Sequence, residues 1–326
     1  MPRSTPSSAE QTVADIGEFG LIANIIRGLS RTPAVSVGPG DDSAVYLING
    51  SAVTSTDILI EGVHFRRDWS SATEIGRKSV AVNAADIEAM GATPVAVVMS
   101  LGVPGDLPVR WVKDFAAGFR AEADTAGLAL VGGDTSSARD ITISVTVIGE
   151  TGALEPVLRT GATPGEVVAV CGRLGWAAAG LTALGRGFRS PRAAVDSQRV
   201  PVVPYGEGRR AALGGATAMI DISDGLLADL NHVAQASGVW IDVETAAFEI
   251  PEPVAAVASA VGKDPLDFVL TGGEDHALAA CFPMGELPSG WVGIGTVREA
   301  DESGPMVTVD GRPHEGASGW EHFRRG

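Results

Sequence analysis

Residues 218–237 read AMIDISDGLLADLNHVAQAS, an apolar run that meets two carboxylates and a glycine before a helical pattern of apolar residues begins. This order predicts a buried strand, a polar turn and an amphipathic helix. Four more segments place an Asp at or near the end of an apolar run, beside Gly or a hydroxyl residue. They are GPGDDS (38–43), TSTD (54–57), NAADIEAMGA (83–92) and GGDTSS (132–137). Because strand and helix patterns mix along the chain, the sequence predicts an α/β or α+β fold.

The five acidic-glycine segments have the chemistry of a metal and phosphate site. Asp, Ser and Thr oxygens are hard ligands that suit Mg²⁺, and Gly lets backbone N–H groups approach phosphates closely. The alternative for any single segment is a turn or a helix cap, and Ser223 or Asp224 would then cap the helix that follows DISDG. Five such segments together favour cations, because carboxylates gathered at strand ends otherwise repel one another.

Length and composition predict two domains. The chain has 326 residues, 45% of them hydrophobic, which is too many for one ordinary core. The Ser- and Pro-rich residues 1–16 predict a flexible tail, 17–150 an N-terminal domain, and the turn-rich stretch after Glu150 opens a C-terminal domain, 151–326. The Arg- and Pro-rich stretch 186–210 predicts an exposed loop and the start of a helix.

Local patterns give two further expectations. A first helix from Gly17 would place five apolar residues on one face: Phe19, Ile22, Ile25, Ile26 and Leu29. Cys171 and Cys281 each lie in an apolar run, which predicts buried thiols in strands and no disulfide framework.

Charge and composition limit the partners. The chain carries 40 Asp and Glu against 24 Lys and Arg, a net charge of −16. Nucleic acids and anionic membrane surfaces are bound by basic surfaces, so neither is expected as a partner. No signal peptide and no apolar run of about 20 residues is visible, which predicts a cytoplasmic protein.

Other catalytic signatures are missing from the sequence. There is no G-x-x-x-x-G-K-[ST], no G-x-G-x-x-G after a strand and no H-R-D loop. G-x-S-x-G is also absent, and the five His do not cluster at the spacing of zinc ligands. Any nucleotide chemistry must therefore rest on the acidic-glycine segments.

Nine segments in order resemble bacterial thiamine-monophosphate kinases, which belong to the aminoimidazole-ribonucleotide-synthetase-like superfamily. They are GEFGLI, GPGDDSAV, STD with GVHF, KSVAVNAADIEAMGA, GGDT, LRTGATPG, IDISDGLLADL, LTGGED and the terminal GWEHF. The resemblance runs from Gly17 to Phe323. GDD, GGDT and DISDG are shared across the superfamily, whereas GEFGLI, STD with the following His, GGED and the C-terminal end are more particular to this family.

The resemblance implies a two-domain aminoimidazole-ribonucleotide-synthetase-like fold, with an N-terminal ATP-binding α+β domain and a C-terminal α/β domain. It implies a homodimer joined through the N-terminal sheets. It also implies ATP as co-substrate with several Mg²⁺ ions. The expected reaction is direct in-line transfer of a phosphoryl group to thiamine monophosphate, which gives thiamine diphosphate in the last step of its biosynthesis.

The resemblance also assigns roles to residues, with Asp57, Asp134 and Asp221 as the catalytic set. The implied metal ligands are Asp42, Ser55, Thr56, Asp57, Asp86, Asp134, Asp221 and Asp224. The implied ATP contacts are Gly133, Asp134, Arg159 and Ser223. The implied thiamine phosphate contacts are His64, Glu274 and Trp320. Without the family, Trp320 would be a core anchor and Arg159 a surface residue on the linker.

Several alternatives stay open. A selenophosphate synthetase would carry a reactive Cys or Sec near its N-terminus, and a hydrogenase-maturation dehydratase would end in Cys; this chain has neither. Aminoimidazole ribonucleotide synthetase fits the start and the tail less well. A non-catalytic sensor of thiamine phosphates is a rival of another class. One departure from the family pattern is VPVVPYGEGRR (200–210), where Pro-x-Pro-Arg is common.

Overall fold

The computed structural model describes residues 11–29, 32–40, 42–304, 306–316 and 318–319. The chain forms two compact units. Unit 1 contains residues 1–84 and 94–150, and unit 2 contains residues 85–93 and 151–326. The last boundary along the chain falls between Glu150 and Thr151, and the short segment 85–93 belongs to unit 2 although it lies between two parts of unit 1. The functional domains expected from the sequence stay a prediction.

Up to Glu150 the chain alternates helices and strands. The elements are α1 (Val13–Ile25), β1 (Val35–Val37), β2 (Val45–Tyr46), β3 (Ala52–Ile60), α2 (Ala72–Ala89), β4 (Thr93–Val103), α3 (Val109–Ala126), β5 (Ala129–Ser137) and β6 (Thr142–Glu150). β1 and β2 pair in an antiparallel ribbon, and the other strands form a sheet in the order β3-β6-β4-β5. β3 is therefore an outer strand of this sheet, paired antiparallel to β6 along its whole length.

Helices α2 and α3 pack closely because a glycine of each helix meets the backbone of the other. A Cβ on Gly118 would lie 2.0 Å from the carbonyl oxygen of Thr73, and one on Gly76 would lie 2.2 Å from that of Phe115. Neither position accepts a larger residue without a backbone shift. Phe115 and Phe119 are fully buried beside this contact, with their ring centroids 6.2 Å apart.

Helix α1 departs from the expectation in its start and its face. It begins at Val13, four residues before Gly17, because Thr12 and Asp15 form a capping box. The backbone N–H and the side-chain hydroxyl of Thr12 each donate to the Asp15 carboxylate at 2.8 Å. Gly17 has φ of 66°, which interrupts the helix and changes its phase. Leu21 is consequently buried, while Phe19, predicted on the apolar face, is 84% exposed.

Unit 2 holds the remaining elements. They are β7 (Val167–Cys171), α4 (Trp176–Gly185), α5 (Arg192–Arg199), α6 (Glu207–Leu213), β8 (Ala218–Ile222), α7 (Leu226–Ser237), β9 (Val239–Val243), a 3₁₀ turn (Thr245–Ala247), α8 (Glu252–Val261), α9 (Pro265–Thr271), β10 (Ala277–Phe282), β11 (Val292–Glu299), β12 (Met306–Val309) and β13 (Arg312–Pro313). In the described chain these strands form a mixed sheet in the order β13-β12-β9-β11-β7-β10-β8.

Both faces of this sheet are apolar, as expected for strands that read as continuous hydrophobic runs. On one face, Ile220 and Ile222 of β8 pack with Leu226 and Leu230 of α7. On the other face, Phe282 meets Trp291 edge to face at 5.3 Å. The mixed α/β class predicted from the sequence is confirmed.

The two cysteines are free and buried in strands β7 and β10, as predicted. Burial raises the pKa of Cys171 to about 11 and that of Cys281 to about 12. Both thiols are therefore protonated at neutral pH and act as small apolar side chains in the core.

The stretch 186–210 contains more helix than the sequence predicts. Residues Arg192–Arg199 form helix α5, with Ala194 and Val195 buried. A Cβ on Gly180 of α4 would lie 2.1 Å from the Ala194 carbonyl oxygen, so the two helices touch through their backbones. The prediction of an exposed loop was wrong here because this contact is not visible in local composition. Within the described residues, no helix is both long and apolar enough to cross a membrane.

Candidate functional site

Strand β3 carries three of the predicted metal ligands. Side chains alternate across a strand, so Ser55 and Asp57 point to one face and Thr56 to the other. The Thr56 hydroxyl donates to the Val145 carbonyl at 3.0 Å and accepts from Thr146 at 3.0 Å. The structure thus groups the side chains of Ser55 and Asp57, while that of Thr56 lies opposite.

Asp57 is tied to helix α2 through a residue that sequence reasoning did not single out. Its backbone N–H donates to Oδ1 of Asn83 at 3.0 Å, and the Asn83 amide donates to the Ser79 carbonyl at 2.9 Å. Asn83 is buried. The first residue of the NAADIEAMGA segment therefore fixes the backbone at Asp57, and its place at the start of that segment is the only sequence signal for it.

Asp134 lies on β5, the other outer strand of the unit 1 sheet, and is exposed. It pairs with Ser100 of β4 in the parallel register. At Gly133 a Cβ would come 1.9 Å from the Met99 carbonyl oxygen, so the close approach of β4 already requires glycine there. Asp42 is exposed in the turn between β1 and β2. The expected convergence of Asp57, Asp134 and Asp221 on bound metal and phosphate stays a prediction.

His64 follows β3 in a tight turn. The Ile60 backbone N–H donates to Nδ1 of His64 at 3.0 Å, so this nitrogen accepts and the ring proton sits on Nε2. The buried Lys78 ammonium donates to the His64 carbonyl at 3.3 Å. The ring is thus held in one orientation by the Ile60 N–H.

Asp86 is half-buried on α2, and Glu88 two residues later is buried. The Glu88 carboxylate accepts from the backbone N–H groups of Gly206 at 2.8 Å and Gly208 at 3.0 Å. Burial, and to a smaller extent the charge of Glu207, raise the pKa of Glu88 to about 7 against the two hydrogen bonds. The last turn of α2 is therefore fixed to the start of α6 within unit 2. Sequence reasoning missed Glu88.

The DISDG turn is organised by a residue outside it. Oδ2 of Asp229 accepts the backbone N–H groups of Ser223, Asp224 and Gly225 at 3.0, 3.0 and 3.1 Å. Burial and the neighbouring charge of Asp221 raise the pKa of Asp229 to about 7, although these hydrogen bonds oppose the shift. The N-cap of α7 is Gly225, so neither Ser223 nor Asp224 caps the helix through its side chain as the cap reading expected.

The GGED segment lies against the same turn. The Glu274 N–H donates to the Ser223 carbonyl at 2.7 Å, and a Cβ on Gly273 would be 2.5 Å from that oxygen. Gly319, near the C-terminal end of the described chain, also comes close: its Cβ would lie 2.6 Å from the Asp224 carbonyl oxygen. Trp320 itself lies outside the described residues, and its predicted role stays a prediction.

The structure therefore brings some predicted residues together and leaves others apart. In unit 2 one corner holds four of them: Asp221, Ser223, Asp224 and Glu274. Arg159 is exposed elsewhere on unit 2, where its carbonyl accepts from the Ser237 hydroxyl at 3.1 Å. Among the described residues, no three His, Cys, Asp or Glu side chains form a group ready to hold a metal ion.

Comparison with known proteins defines the class first. The family model described as AIR synthase related protein, N-terminal domain, matches residues 40–151. A solved structure described as AaThiL complexed with AMPPCP and TMP superposes with a TM-score of 0.78 at 33% identity, covering 96% of this chain and 99% of that one. The expected aminoimidazole-ribonucleotide-synthetase-like fold is confirmed.

Sequence relatives then define the family. A thiamine-monophosphate kinase of Mycobacterium tuberculosis is 46% identical over 96% of this chain and 93% of the relative. One of Corynebacterium glutamicum is 40% identical over 96% of this chain and 95% of the relative. The chain belongs to the thiamine-monophosphate kinase family, as its sequence motifs predicted.

Proposed function

We propose that this protein transfers the γ-phosphoryl group of ATP to thiamine monophosphate, giving thiamine diphosphate and ADP. The observation that carries the proposal is the full-length likeness to thiamine-monophosphate kinases, one solved relative of which holds AMPPCP and TMP together. AMPPCP is an analogue of ATP, so that complex pairs a nucleotide with an acceptor. ATP is accordingly the co-substrate here.

The chemistry of the acceptor agrees with the groups that the structure offers. A phosphate monoester has its second pKa near ~6, so it is largely dianionic at neutral pH and needs no general base. Phosphoryl transfer then depends on positioning and charge neutralisation. Neither described histidine near a predicted site offers a free ring: Nδ1 of His64 accepts the Ile60 N–H, and His276 faces Asp221.

Several Mg²⁺ ions fit the donors of this chain. The candidate ligands are carboxyl and hydroxyl oxygens, which Mg²⁺ prefers. Mg²⁺ is commonly bound through one or two carboxylates plus substrate phosphates and water, rather than in a cage made by protein alone. That agrees with carboxylates on separate strands and with no preformed three-ligand group among the described residues. When bound, the ions would neutralise the phosphates that must approach each other.

The proposed roles of single residues follow the sequence motifs. Asp57, Asp134 and Asp221 act on metal and phosphate, with further metal ligands at Asp42, Ser55, Asp86 and Asp224. Thr56 is included by its sequence motif only, because its side chain lies on the opposite face of β3 from Ser55 and Asp57. Gly133, Arg159 and Ser223 contact ATP, whereas His64, Glu274 and Trp320 contact thiamine monophosphate. The half-buried corner around Asp221 and the oriented ring of His64 support these roles, since both are held by hydrogen bonds of the surrounding backbone.

We also propose a cytoplasmic homodimer joined through β3. In the described part of unit 1, β3 ends the sheet on one side, and an unpaired edge is a template for another strand. One face of β3 exposes Thr54, Thr56 and Ile58, the last at 47%. A second copy could cover this strand.

One experiment tests the function. The protein is incubated with ATP, Mg²⁺ and either thiamine monophosphate or thiamine, and the products are separated by chromatography. Thiamine monophosphate should be converted to the diphosphate and thiamine should give little product, because its hydroxyl would need a base. Efficient phosphorylation of free thiamine would contradict the proposal. Binding of both ligands without turnover would instead support the sensor alternative.

A further inference from the structure

The segment after GGE runs along the end of strand β8. The Glu274 N–H donates to the Ser223 carbonyl at 2.7 Å, and the His276 N–H donates to the Ile222 carbonyl at 2.8 Å. These two bonds flank Asp275 and continue the pairing of β10 with β8 beyond Ala277. The side chain of His276 is thereby placed next to the last residues of β8.

The backbone of this segment is unusual. Glu274 has φ of 66° and His276 has φ of 52°, in the left-handed region that non-glycine residues rarely occupy. Such conformations persist where the surroundings determine them, and they are concentrated at functional sites. Two of them one residue apart indicate that the positions of both side chains matter here.

Asp275 attaches the segment to the N-terminus of helix α4. Its side chain is buried, and its carboxylate accepts the N–H groups of Gly175 at 2.5 Å and Ala177 at 2.8 Å, at the N-terminus of α4. Gly175 is itself confined, with φ of 80° and a Cβ position 3.0 Å from the backbone of Phe268. The segment is therefore clamped between α4 on one side and the end of β8 on the other.

With its backbone held in this way, His276 places its side chain against that of Asp221. Nδ1 of His276 lies 3.1 Å from Oδ2 of Asp221, and both residues are buried, at 7% and 5% exposure. A carboxylate is an acceptor, so Nδ1 carries the proton and donates. A hydrogen bond to one oxygen restricts the rotation of the carboxylate and so sets the direction of Oδ1.

We propose that His276 is a positioning residue that orients the carboxylate of Asp221 toward metal and phosphate. The proposal rests on the proposed function for the role of Asp221, but the contact itself does not. Carboxylates that bind metal ions are themselves hydrogen-bonded, and loss of such a partner costs ~10- to 100-fold in metal affinity or activity. Sequence reasoning did not single out His276.

Two substitutions test the proposal. His276→Phe keeps a ring but removes the donor, whereas His276→Asn keeps an amide donor near the place of Nδ1 and tolerates a left-handed backbone. The Mg²⁺ concentration for half-maximal activity should rise ~10- to 100-fold in His276→Phe. His276→Asn should recover most of this loss. His232→Asn, at an exposed position of α7, is the matched control and should leave it unchanged.

A merely structural role predicts another result. His276→Phe would then lower the melting temperature and the active fraction, with no change in the half-saturating Mg²⁺ concentration. That outcome, or equal damage by His276→Asn and His276→Phe, would overturn the proposal.

A second readout needs no turnover and separates this inference from the proposed function. In protein with ¹⁵N-labelled histidine, the His276 signals are those lost in His276→Asn. Nδ1 should bear a proton, and its signal should shift in Asp221→Asn but not in Asp242→Asn, a buried carboxylate on β9 of the same sheet. If the wild type makes no thiamine diphosphate while this result is obtained, the proposed function fails and the contact stands. A proton-free Nδ1 would overturn the inference whatever the activity.

Discussion

Replacing Asp229 should separate the stability of unit 2 from the geometry of its candidate site. One oxygen of this buried carboxylate accepts three consecutive N–H groups, from Ser223, Asp224 and Gly225. Asp229→Ala leaves all three donors without this acceptor. Asp229→Asn keeps one neutral acceptor oxygen of the same shape, so the two variants remove different amounts of the same interaction.

The expected magnitudes follow from these hydrogen bonds. A hydrogen bond to a charged group contributes about 1.5–3 kcal/mol net, and an unsatisfied buried donor costs about 1–3 kcal/mol. Burial raises the pKa of Asp229 to about 7, so desolvation offsets part of the gain. We therefore expect Asp229→Ala to lower the free energy of unfolding by about 3–5 kcal/mol and Asp229→Asn by about 1–2 kcal/mol.

The activity of Asp229→Asn should fall further than its stability explains. Ser223 and Asp224 are predicted to contact ATP and metal, and a shift of about 1 Å in a positioned group can cost ~10²-fold in rate. We expect kcat/KM per folded molecule to fall at least ~10-fold. The assay couples ADP formation in the presence of thiamine monophosphate to a spectroscopic signal, with urea unfolding of the same preparation.

Asp242→Asn is the matched control. Asp242 is buried in the same sheet and accepts from the Gly311 N–H at 2.8 Å, the Thr308 hydroxyl at 2.6 Å and the Arg298 guanidinium at 2.6 Å. Three strands separate its strand β9 from β8. It should lose stability and keep its kcat/KM per folded molecule. Equal kcat/KM for both Asn variants and the wild type would refute the reasoning, since Asp229 would then serve the fold alone.

Three further predictions concern metal, pH and the aromatic tail. Asp57→Asn should lower activity at least ~10²-fold, as loss of an electrostatic stabiliser does. Stability should change little, because the hydrogen bond to Asn83 is made by the backbone N–H of Asp57 and is kept in the variant. Full activity at ordinary Mg²⁺ would show that the charge of Asp57 is not needed. Burial raises the pKa of Asp275 from 3.8 to about 7. Its contribution to stability is then complete below about pH 4 and is lost as the pH rises through about 7. Asp275→Asn should therefore flatten the fall in melting temperature between about pH 4 and about pH 7, and an unchanged slope would contradict this. Trp320→Ala should raise the KM for thiamine monophosphate ~10-fold and hardly change the KM for ATP. The reason is that an aromatic face over the thiazolium cation contributes ~0.5–2 kcal/mol to binding. A parallel rise in KM for both substrates would favour a structural role for Trp320.

The strand, turn and helix at 218–237 were predictable because their signals are local. An apolar run that ends at Ile222, a turn with Gly225 and a helical apolar pattern each appear within a few residues. The residue that accepts the N–H groups of this turn was not predictable from local signals. Ser223 and Asp224 carry the usual cap chemistry, yet Asp229 in the first turn of α7 takes all three N–H groups.

Elements that depend on packing were harder to predict. Gly17 permits a left-handed backbone that resets the phase of α1, so the sequence periodicity identified Phe19 as buried when it is exposed. Helix α5 forms in an Arg- and Pro-rich stretch because α4 presents Gly180 to its backbone. Local composition shows neither the change of helical phase at Gly17 nor the packing of α5 against α4.

The candidate site shows the same division. The acidic-glycine segments are recognisable by composition, but their carboxylates do not all lie at strand ends: Asp57 and Asp134 lie within β3 and β5, and Asp86 lies on α2. Their supporting partners lie far away in sequence: His276 is 55 residues from Asp221, and Gly206 is 118 residues from Glu88. A single polar residue inside an apolar run gives no sign of which distant group it meets.

The most direct test of the central claim follows the fate of the γ-phosphoryl group. Protein, Mg²⁺, thiamine monophosphate and ATP labelled in its γ-phosphate are combined, and the label is traced in every product. Direct transfer predicts one labelled thiamine diphosphate for each ADP, with the label in the terminal phosphate and no AMP. Label released as inorganic phosphate without thiamine diphosphate, or AMP as the nucleotide product, would contradict the account.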